Sequence, residues 1–319
     1  MPNAPSVDEL KQFVCYEPKT DSVSKDPEMT AFKQTARLHQ AKWREMKGYP
    51  MGTHPYTPKP DEKSRPLGSR VESAFALSNC VNFLTDKIRE AVEHRISNPE
   101  KGQMLDKGRL YCDLLSSMPM CFNLFGEFQH NLDIATKAIT SICPNGPIAS
   151  AEAVRFEWSP GRADPRYLGN RSAFDVAFET KSKDGDMGIV GIETKYHEDC
   201  KKEAPITEQR KERYIEVSKK SHVFIDGAID EILGSELQQI WQDHLLLLSM
   251  IQQEPMSWYW GKFILIAPAQ NSSFKRAAKK YLSLLKDDST FEYLTVESII
   301  DQNVLPSETL KLFRERYIW

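Results

Sequence analysis

The sequence has no long hydrophobic run. An apolar stretch, Leu245–Met250, is interrupted by Ser249, and it is far shorter than the roughly 20 residues that a bilayer-spanning helix needs. The amino-terminal residues also lack the cationic segment and apolar stretch of a secretory signal. We therefore expect a cytoplasmic protein with no membrane contact.

Several motifs that would define other classes of protein are missing. The six cysteines are widely spaced, with no C-x-x-C and no nearby histidine pair, so neither a disulfide framework nor a zinc site is predicted. The formal net charge of −3 excludes a basic surface overall, and any nucleic-acid contact must come from local patches. The chain of 319 residues, 40% hydrophobic and 27% charged, has the composition and length of a globular protein that buries a core without disulfides.

The pattern along the chain predicts two regions. Residues 1–70 form an arm, with a helix over 31–47 and then a wrapping segment whose prolines at 50, 55, 58, 60 and 66 disfavour regular structure. Residues 71–319 form a single α/β domain, helical over 71–150 and sheet-containing over 151–319.

The sheet-containing part shows an ordered alternation of elements. Three extended runs, at 153–158, 172–180 and 188–196, are followed by helices at 206–220 and 235–252. A strand at 262–268, a helix at 273–286, a strand at 291–296 and a final helix complete the pattern. This order predicts a mixed sheet flanked by helices.

The second and third extended runs carry the chemistry. Alternation places Asp175 on one face of its strand and Phe174 with Val176 on the other, while Glu193 and Lys195 share a face of the next strand. A hairpin centred on residue 184 puts Asp175 directly across from Glu193, with Cβ atoms about 4.5–5.5 Å apart.

Two carboxylates this close repel each other unless one is protonated or a cation lies between them. Oxygen ligands of this kind suit Mg²⁺, with Mn²⁺ as a substitute. Small neighbours at Ala173, Ala177 and Gly191 leave room for a substrate. A metal and the Lys195 ammonium would together suit hydrolysis of a phosphodiester.

These residues resemble a known superfamily. An Asp on the second strand and Glu-x-Lys on the third, Glu193-Thr194-Lys195, look like the PD-(D/E)XK, or restriction-endonuclease-like, nucleases. The resemblance implies an αβββαβ core with a mixed central sheet, preceded here by a helical amino-terminal region. It implies that Asp175 and Glu193 hold Mg²⁺, that the Thr194 carbonyl adds a ligand and that Lys195 serves catalysis. Phe174 replaces the Pro of the family name.

The motif has a plain alternative. Glu-x-Lys occurs five times in the chain, and only the occurrence at Glu193 follows an Asp-bearing strand through a hairpin. Asp175, Glu193 and Lys195 could instead form a solvated polar face with surface ion pairs, which contribute little. The small residues around the two acids favour the active site.

Further site residues are predicted around this centre. The resemblance implies a metal-facing glutamate on the preceding helix, and Glu127 fits on an inward stripe, although a structural glutamate is the alternative. Gln238 and His244, on the helix after the third strand, are candidates for substrate contact; a satisfied core histidine is the alternative for His244. A run of cations without intervening acids forms a phosphate-contact patch: Lys275, Arg276, Lys279 and Lys280.

The leading hypothesis is a Mg²⁺-dependent nuclease, an endonuclease acting on DNA in restriction, defence or repair. One alternative is a catalytically inactive nucleic-acid-binding or scaffold protein with the same fold. Another is an enzyme acting on a phosphorylated small molecule, disfavoured because no Gly-rich phosphate loop follows a strand. A homodimer is compatible with a duplex substrate, but no segment identifies a dimer face. The sequence does not distinguish DNA from RNA or single from double strands, and it specifies neither target sequence nor cleavage position.

Overall fold

The computed structural model describes residues 4–21, 26–55, 64–103 and 105–319. The amino-terminal part contains helices α1 (Val7–Gln12), α2 (Pro18–Asp21) and α3 (Pro27–Met46), followed by strands β1 (Met51–Thr53) and β2 (Pro66–Val71). The strands β1 and β2 pair antiparallel in a sheet of their own. The expectation that residues 49–66 lack regular structure is therefore wrong at both ends of the segment. The prolines at 58 and 60 lie outside the described residues.

Helix α3 begins at Pro27, four residues before the predicted start at residue 31. Asp26 caps it by accepting a hydrogen bond from the backbone N–H of Met29 at 3.0 Å, and Pro27 occupies the first turn, where its missing N–H costs nothing. Its buried Trp43 joins the main hydrophobic core, so the arm is packed on the body of the protein.

Helix α3 also contacts the end of the third core strand. The buried Gln40 amide donates to the hydroxyl of Tyr196 at 2.9 Å and to the carbonyl of Arg316 at 2.9 Å. Lys33 forms an ion pair with Asp199 at 2.5 Å. The segment that follows Lys195 is thus held by the arm.

Helices dominate the chain from residue 73 to residue 142. They are α4 (Ser73–Asn79), α5 (Asp86–Ser97), α6 (Lys107–Cys112), α7 (Ser117–Phe125), a 3₁₀ helix (Gly126–His130) and α8 (Leu132–Ile142). Within the described residues, no helix is long and apolar enough to cross a membrane.

The central sheet is mixed, as predicted. Its strands are β3 (Ser150–Trp158), β4 (Phe174–Lys181), β5 (Met187–Thr194), β6 (Trp260–Ala267) and β7 (Phe291–Thr295), in that spatial order. The pairs β3/β4 and β4/β5 are antiparallel, while β5/β6 and β6/β7 are parallel.

Helices connect the strands of this sheet and follow its last strand. Helices α9 (Glu208–Ser221), α10 (Ala228–Ile232) and α11 (Gln238–Ile251) connect β5 to β6, and α12 (Ser272–Leu282) connects β6 to β7. Helices α13 (Val296–Asp301) and α14 (Ser307–Tyr317) replace the single final helix predicted. This arrangement matches the expected restriction-endonuclease-like core.

Hydrophobic side chains cover both faces of this sheet. Val176 belongs to the core shared with α7 and α8, and Ala177 to the core shared with α9, α11 and α12. Phe174 joins Ala177 instead of Val176, so the predicted alternation is wrong at the first residue of β4. The reason is space at Gly191, where an added Cβ would lie 2.5 Å from the Phe174 ring.

Candidate active site

The pairing of β4 with β5 has the register that the hairpin predicted. Val176 lies opposite Ile192 and Ala177 opposite Gly191. One residue further along, Asp175 and Glu193 line the same cavity, of about 470 Å³. The two acids therefore converge at the end of the strand pair, where the loop before β4 and helices α9 and α11 complete the walls.

Hydrogen bonds fix one oxygen of each of these carboxylates. Asp175 Oδ2 accepts from the Thr194 backbone N–H at 2.8 Å and from the Thr194 hydroxyl at 2.7 Å. Glu193 Oε1 accepts from Lys195 Nζ at 2.7 Å. Among the described residues, no hydrogen bond occupies Asp175 Oδ1 or Glu193 Oε2. The predicted catalytic residues Asp175, Glu193 and Lys195 are thus brought together, each carboxylate with one oxygen left for a ligand.

Burial and mutual repulsion perturb these groups. Burial, together with the charge of Asp175, raises the pKa of Glu193 to about 7. Burial also raises the pKa of Asp175, although Lys195 and the Thr194 hydrogen bonds oppose the shift. Burial would lower the pKa of Lys195, but the charges of Glu193 and Asp175 outweigh it and hold this pKa above its ordinary value. Lys195 therefore stays protonated, and its positive charge lies beside two carboxyl groups that repel each other when both are ionised.

The cavity contains two further acids that were not predicted from the sequence, Glu157 on β3 and Asp243 on α11. Burial and the neighbouring charges of Asp175 and Glu193 raise the pKa of Glu157 to about 8. Burial and the charge of Glu193 raise the pKa of Asp243 well above its ordinary value. Neither carboxylate has a hydrogen-bond or ion-pair partner in the described part of the chain.

A signal for each missed acid exists in the sequence. Glu157 lies near the end of the first extended run, beside the Asp175 strand of the predicted sheet. Asp243 lies one helical turn after Gln239, and both line the cavity. In α11 the stripe through Gln239 and Asp243, and not the residues chosen from the sequence, faces the site.

The donor set fits a hard divalent cation that keeps water ligands. Across the ranges that the structure describes, no three His, Cys, Asp or Glu side chains form a group that could hold a metal ion. A metal would therefore need Asp175 and Glu193 supplemented by the Thr194 carbonyl and water. Mg²⁺ is suited to such a site because it is usually held by one or two carboxylates and retains several waters.

Glu127 is not placed at this cavity. Its Oε1 accepts from the hydroxyl of Thr85 at 2.6 Å and from that of Thr309 at 2.7 Å. The predicted stripe assumed one continuous helix, but α7 ends at Phe125 and Asn131 caps α8. The structure thus contradicts a metal-facing Glu127 and favours the alternative of a structural glutamate.

Gln238 and His244 also point away from the cavity. Gln238 accepts from the backbone N–H of Gly234 at 3.1 Å and donates to the Ala204 carbonyl at 3.0 Å, so it ties loops together. The fully buried His244 ring bonds through Nδ1 to the Tyr281 hydroxyl at 3.0 Å and through Nε2 to the Thr290 hydroxyl at 2.9 Å. The predicted substrate contacts are contradicted, and the core-histidine alternative is correct.

The cationic patch lies on α12. Lys275, Lys279 and Lys280 are exposed, while Arg276 pairs with Asp26 at the start of α3. Lys275 lines a different cavity, between α3 and α12. Phosphate contact by these residues stays a prediction, with Arg276 already engaged by an acid.

Comparison with known proteins identifies the class. A family model of the PD-(D/E)XK nuclease superfamily matches residues 24–319. The chain therefore belongs to this superfamily, and the resemblance inferred from Asp175 and Glu193-Thr194-Lys195 is confirmed. No curated protein and no solved structure gave a match.

Proposed function

We propose that the protein is a Mg²⁺-dependent nuclease that cleaves DNA as an endonuclease, in restriction, defence or repair. The observation that carries the proposal is the convergence of two buried carboxylates, Asp175 and Glu193, on one cavity, with the Lys195 ammonium 2.7 Å from Glu193. Membership of the nuclease superfamily supports the same reaction class.

Each residue has a role that follows from its contacts. Asp175 and Glu193 would hold Mg²⁺, or Mn²⁺ in its place, with the Thr194 carbonyl as a third protein ligand. The chemistry that such an ion would supply there is polarisation of the phosphodiester and a lowered pKa of a water molecule. Thr194 orients Asp175 through its two hydrogen bonds. Lys195, held by Glu193, supplies a fixed positive charge for the oxygen on which negative charge develops.

The decisive experiment compares variants on supercoiled plasmid. Wild-type protein with Mg²⁺ should nick or linearise the circle, which an exonuclease cannot attack. Glu193→Ala and Lys195→Ala should each lose at least about 100-fold in rate, the usual cost of removing a group that stabilises the transition state. Lys87→Ala is the matched control, because Lys87 is an exposed lysine that also pairs with a glutamate, Glu90 at 2.8 Å. Equal activity in the wild type and both site variants would refute the proposal.

One observation keeps a second candidate, the catalytically inactive nucleic-acid-binding or scaffold protein. In the part of the chain that the structure describes, no group of three ligating side chains is arranged for a metal. Calorimetry with Mn²⁺ separates the two: a nuclease should bind the ion and lose binding in Asp175→Ala. A scaffold should show no binding in either protein.

A further inference from the structure

We infer that Arg171 and Arg210 bind substrate phosphates at the rim of the active-site cavity; the inference rests on the proposed function and specifies how that site holds a polyanion. Both residues line the cavity that contains Asp175 and Glu193. Both are exposed, and they come from different elements. Arg171 precedes β4, and Arg210 lies in the first turn of α9.

The charges of the cavity create a need for such cations. Its lining includes five carboxylates, Glu157, Asp175, Glu193, Glu203 and Asp243. A phosphodiester that approaches these acids is repelled by each one that is ionised, and one bound metal with Lys195 offsets part of that charge. Cations at the rim would lower the remaining cost of bringing phosphates in.

The two arginines are the cavity cations that remain available. The third arginine of the lining, Arg162, has a side chain only 8% exposed and pairs with Glu100 at 3.4 Å. It also donates to the carbonyls of Glu157 at 2.6 Å and Arg171 at 3.0 Å, so it is structural. Over the described ranges, the guanidinium groups of Arg171 and Arg210 have no hydrogen-bond or ion-pair partner.

The backbones that carry the two arginines are fixed relative to each other. Asn170, adjacent to Arg171, is buried and donates to the hydroxyl of Tyr214 at 2.7 Å. Tyr214 is buried and lies one helical turn after Arg210 on α9. The Arg162 bond to the Arg171 carbonyl restrains the same loop. The backbones that carry the two side chains therefore need no ordering when the substrate binds, which reduces the entropy lost on binding.

Arginine suits this role because its planar group can donate two parallel hydrogen bonds to one phosphate. Each arginine would hold one phosphate of the strand that enters the cavity, through contacts that carry no information on base sequence. Removing either should weaken binding of any sequence and should lower the dependence of affinity on salt by one phosphate contact.

Fluorescence anisotropy with labelled duplex and single-stranded oligonucleotides tests the inference over a range of salt concentrations. Arg171→Ala and Arg210→Ala should each weaken binding roughly tenfold or more. Each should reduce the slope of log affinity against log salt by about 0.9 on duplex or about 0.7 on single strands. Arg171→Lys should restore the slope and only part of the affinity. Arg314→Ala, on α14 and paired with Asp301 at 3.1 Å, should behave as the wild type.

The outcomes separate the inference from the proposed function. Unchanged affinity and slope in both alanine variants would overturn the inference, even if the wild type cleaves plasmid. If the wild type binds DNA without cutting it, the nuclease proposal fails, but the slopes still decide the role of the arginines. If the wild type binds no nucleic acid, both are refuted. Thermal denaturation checks that the exposed substitutions leave the fold intact.

Discussion

The buried histidine of α11 makes the stability of the protein depend on acid in a defined way. The His244 ring lies among aromatic side chains, stacked on Phe263 at a centroid distance of 6.1 Å. Burial lowers its pKa from 6.5 to about 3. The folded protein therefore keeps this ring neutral at pH values where the unfolded chain protonates it.

The sign and size of the effect follow from linkage. Below pH 6.5 the unfolded chain binds a proton that the folded state does not bind until about pH 3. The stability of the folded protein with a neutral His244 is thus fully present above pH 6.5, and it is lost progressively as the pH falls toward 3. The free energy of unfolding falls by about 1.4 kcal/mol per pH unit. Between pH 6.5 and about pH 3 the total loss is about 5 kcal/mol. No discount for solvent screening applies, because the ring is fully buried.

Urea unfolding of wild type and His244→Gln between pH 8 and pH 4 measures this effect. The difference between the two free energies of unfolding should be constant above pH 7 and should then shift against the wild type by up to about 1.4 kcal/mol per pH unit. His94→Gln, at an exposed histidine of α5, is the control for replacing a histidine outside the core. Parallel curves for His244→Gln and the wild type would refute the burial argument.

Two further predictions concern the cavity itself. Asp243→Asn should stabilise the metal-free protein at pH 8, because burial and the charge of Glu193 raise the pKa of Asp243 and an amide carries no charge into the cavity. The gain should shrink as the pH falls from 8 to 5, so equal gains in urea unfolding at both pH values would contradict it. Thr194→Val removes one of the two donors to Asp175 and should lower Mn²⁺ affinity about tenfold in calorimetry. Unchanged affinity would show that the hydroxyl does not position Asp175.

The central part of the site could be predicted because strand geometry is simple. Side chains alternate with a period of two, and a short hairpin fixes the register, so the positions of Asp175 and Glu193 follow from counting. The observed pairing of Val176 with Ile192 has this register. The mixed character of the sheet followed from the alternation of strands and helices, and it too is confirmed.

The helical contributions could not be predicted in the same way. Helix α11 is buried on nearly all sides, so hydrophobic periodicity does not reveal which stripe faces the cavity. Adjacent residues on a helix point about 100° apart, which is why Asp243 lines the cavity while His244 enters the core. For Glu127, periodicity gave no sign of the 3₁₀ helix that interrupts the stripe.

The strands β1 and β2 were missed for a different reason. Prolines argue against the interior of a sheet, but they are tolerated at a strand start or on an edge. Pro66 is the first residue of β2, and β1 and β2 form a separate two-stranded sheet in the described residues. Composition alone could not distinguish this small hairpin from a loop.

The docking of α3 on the end of β5 depends on contacts between distant parts of the chain. Gln40 and Tyr196 are 156 positions apart, and Gln40 and Arg316 are 276 apart. Contacts of such long range form late, because closing a large loop costs entropy before any contact repays it. During synthesis, α3 leaves the ribosome long before either of its partners exists. A half-made chain therefore lacks the contacts that hold the backbone next to Lys195 against α3.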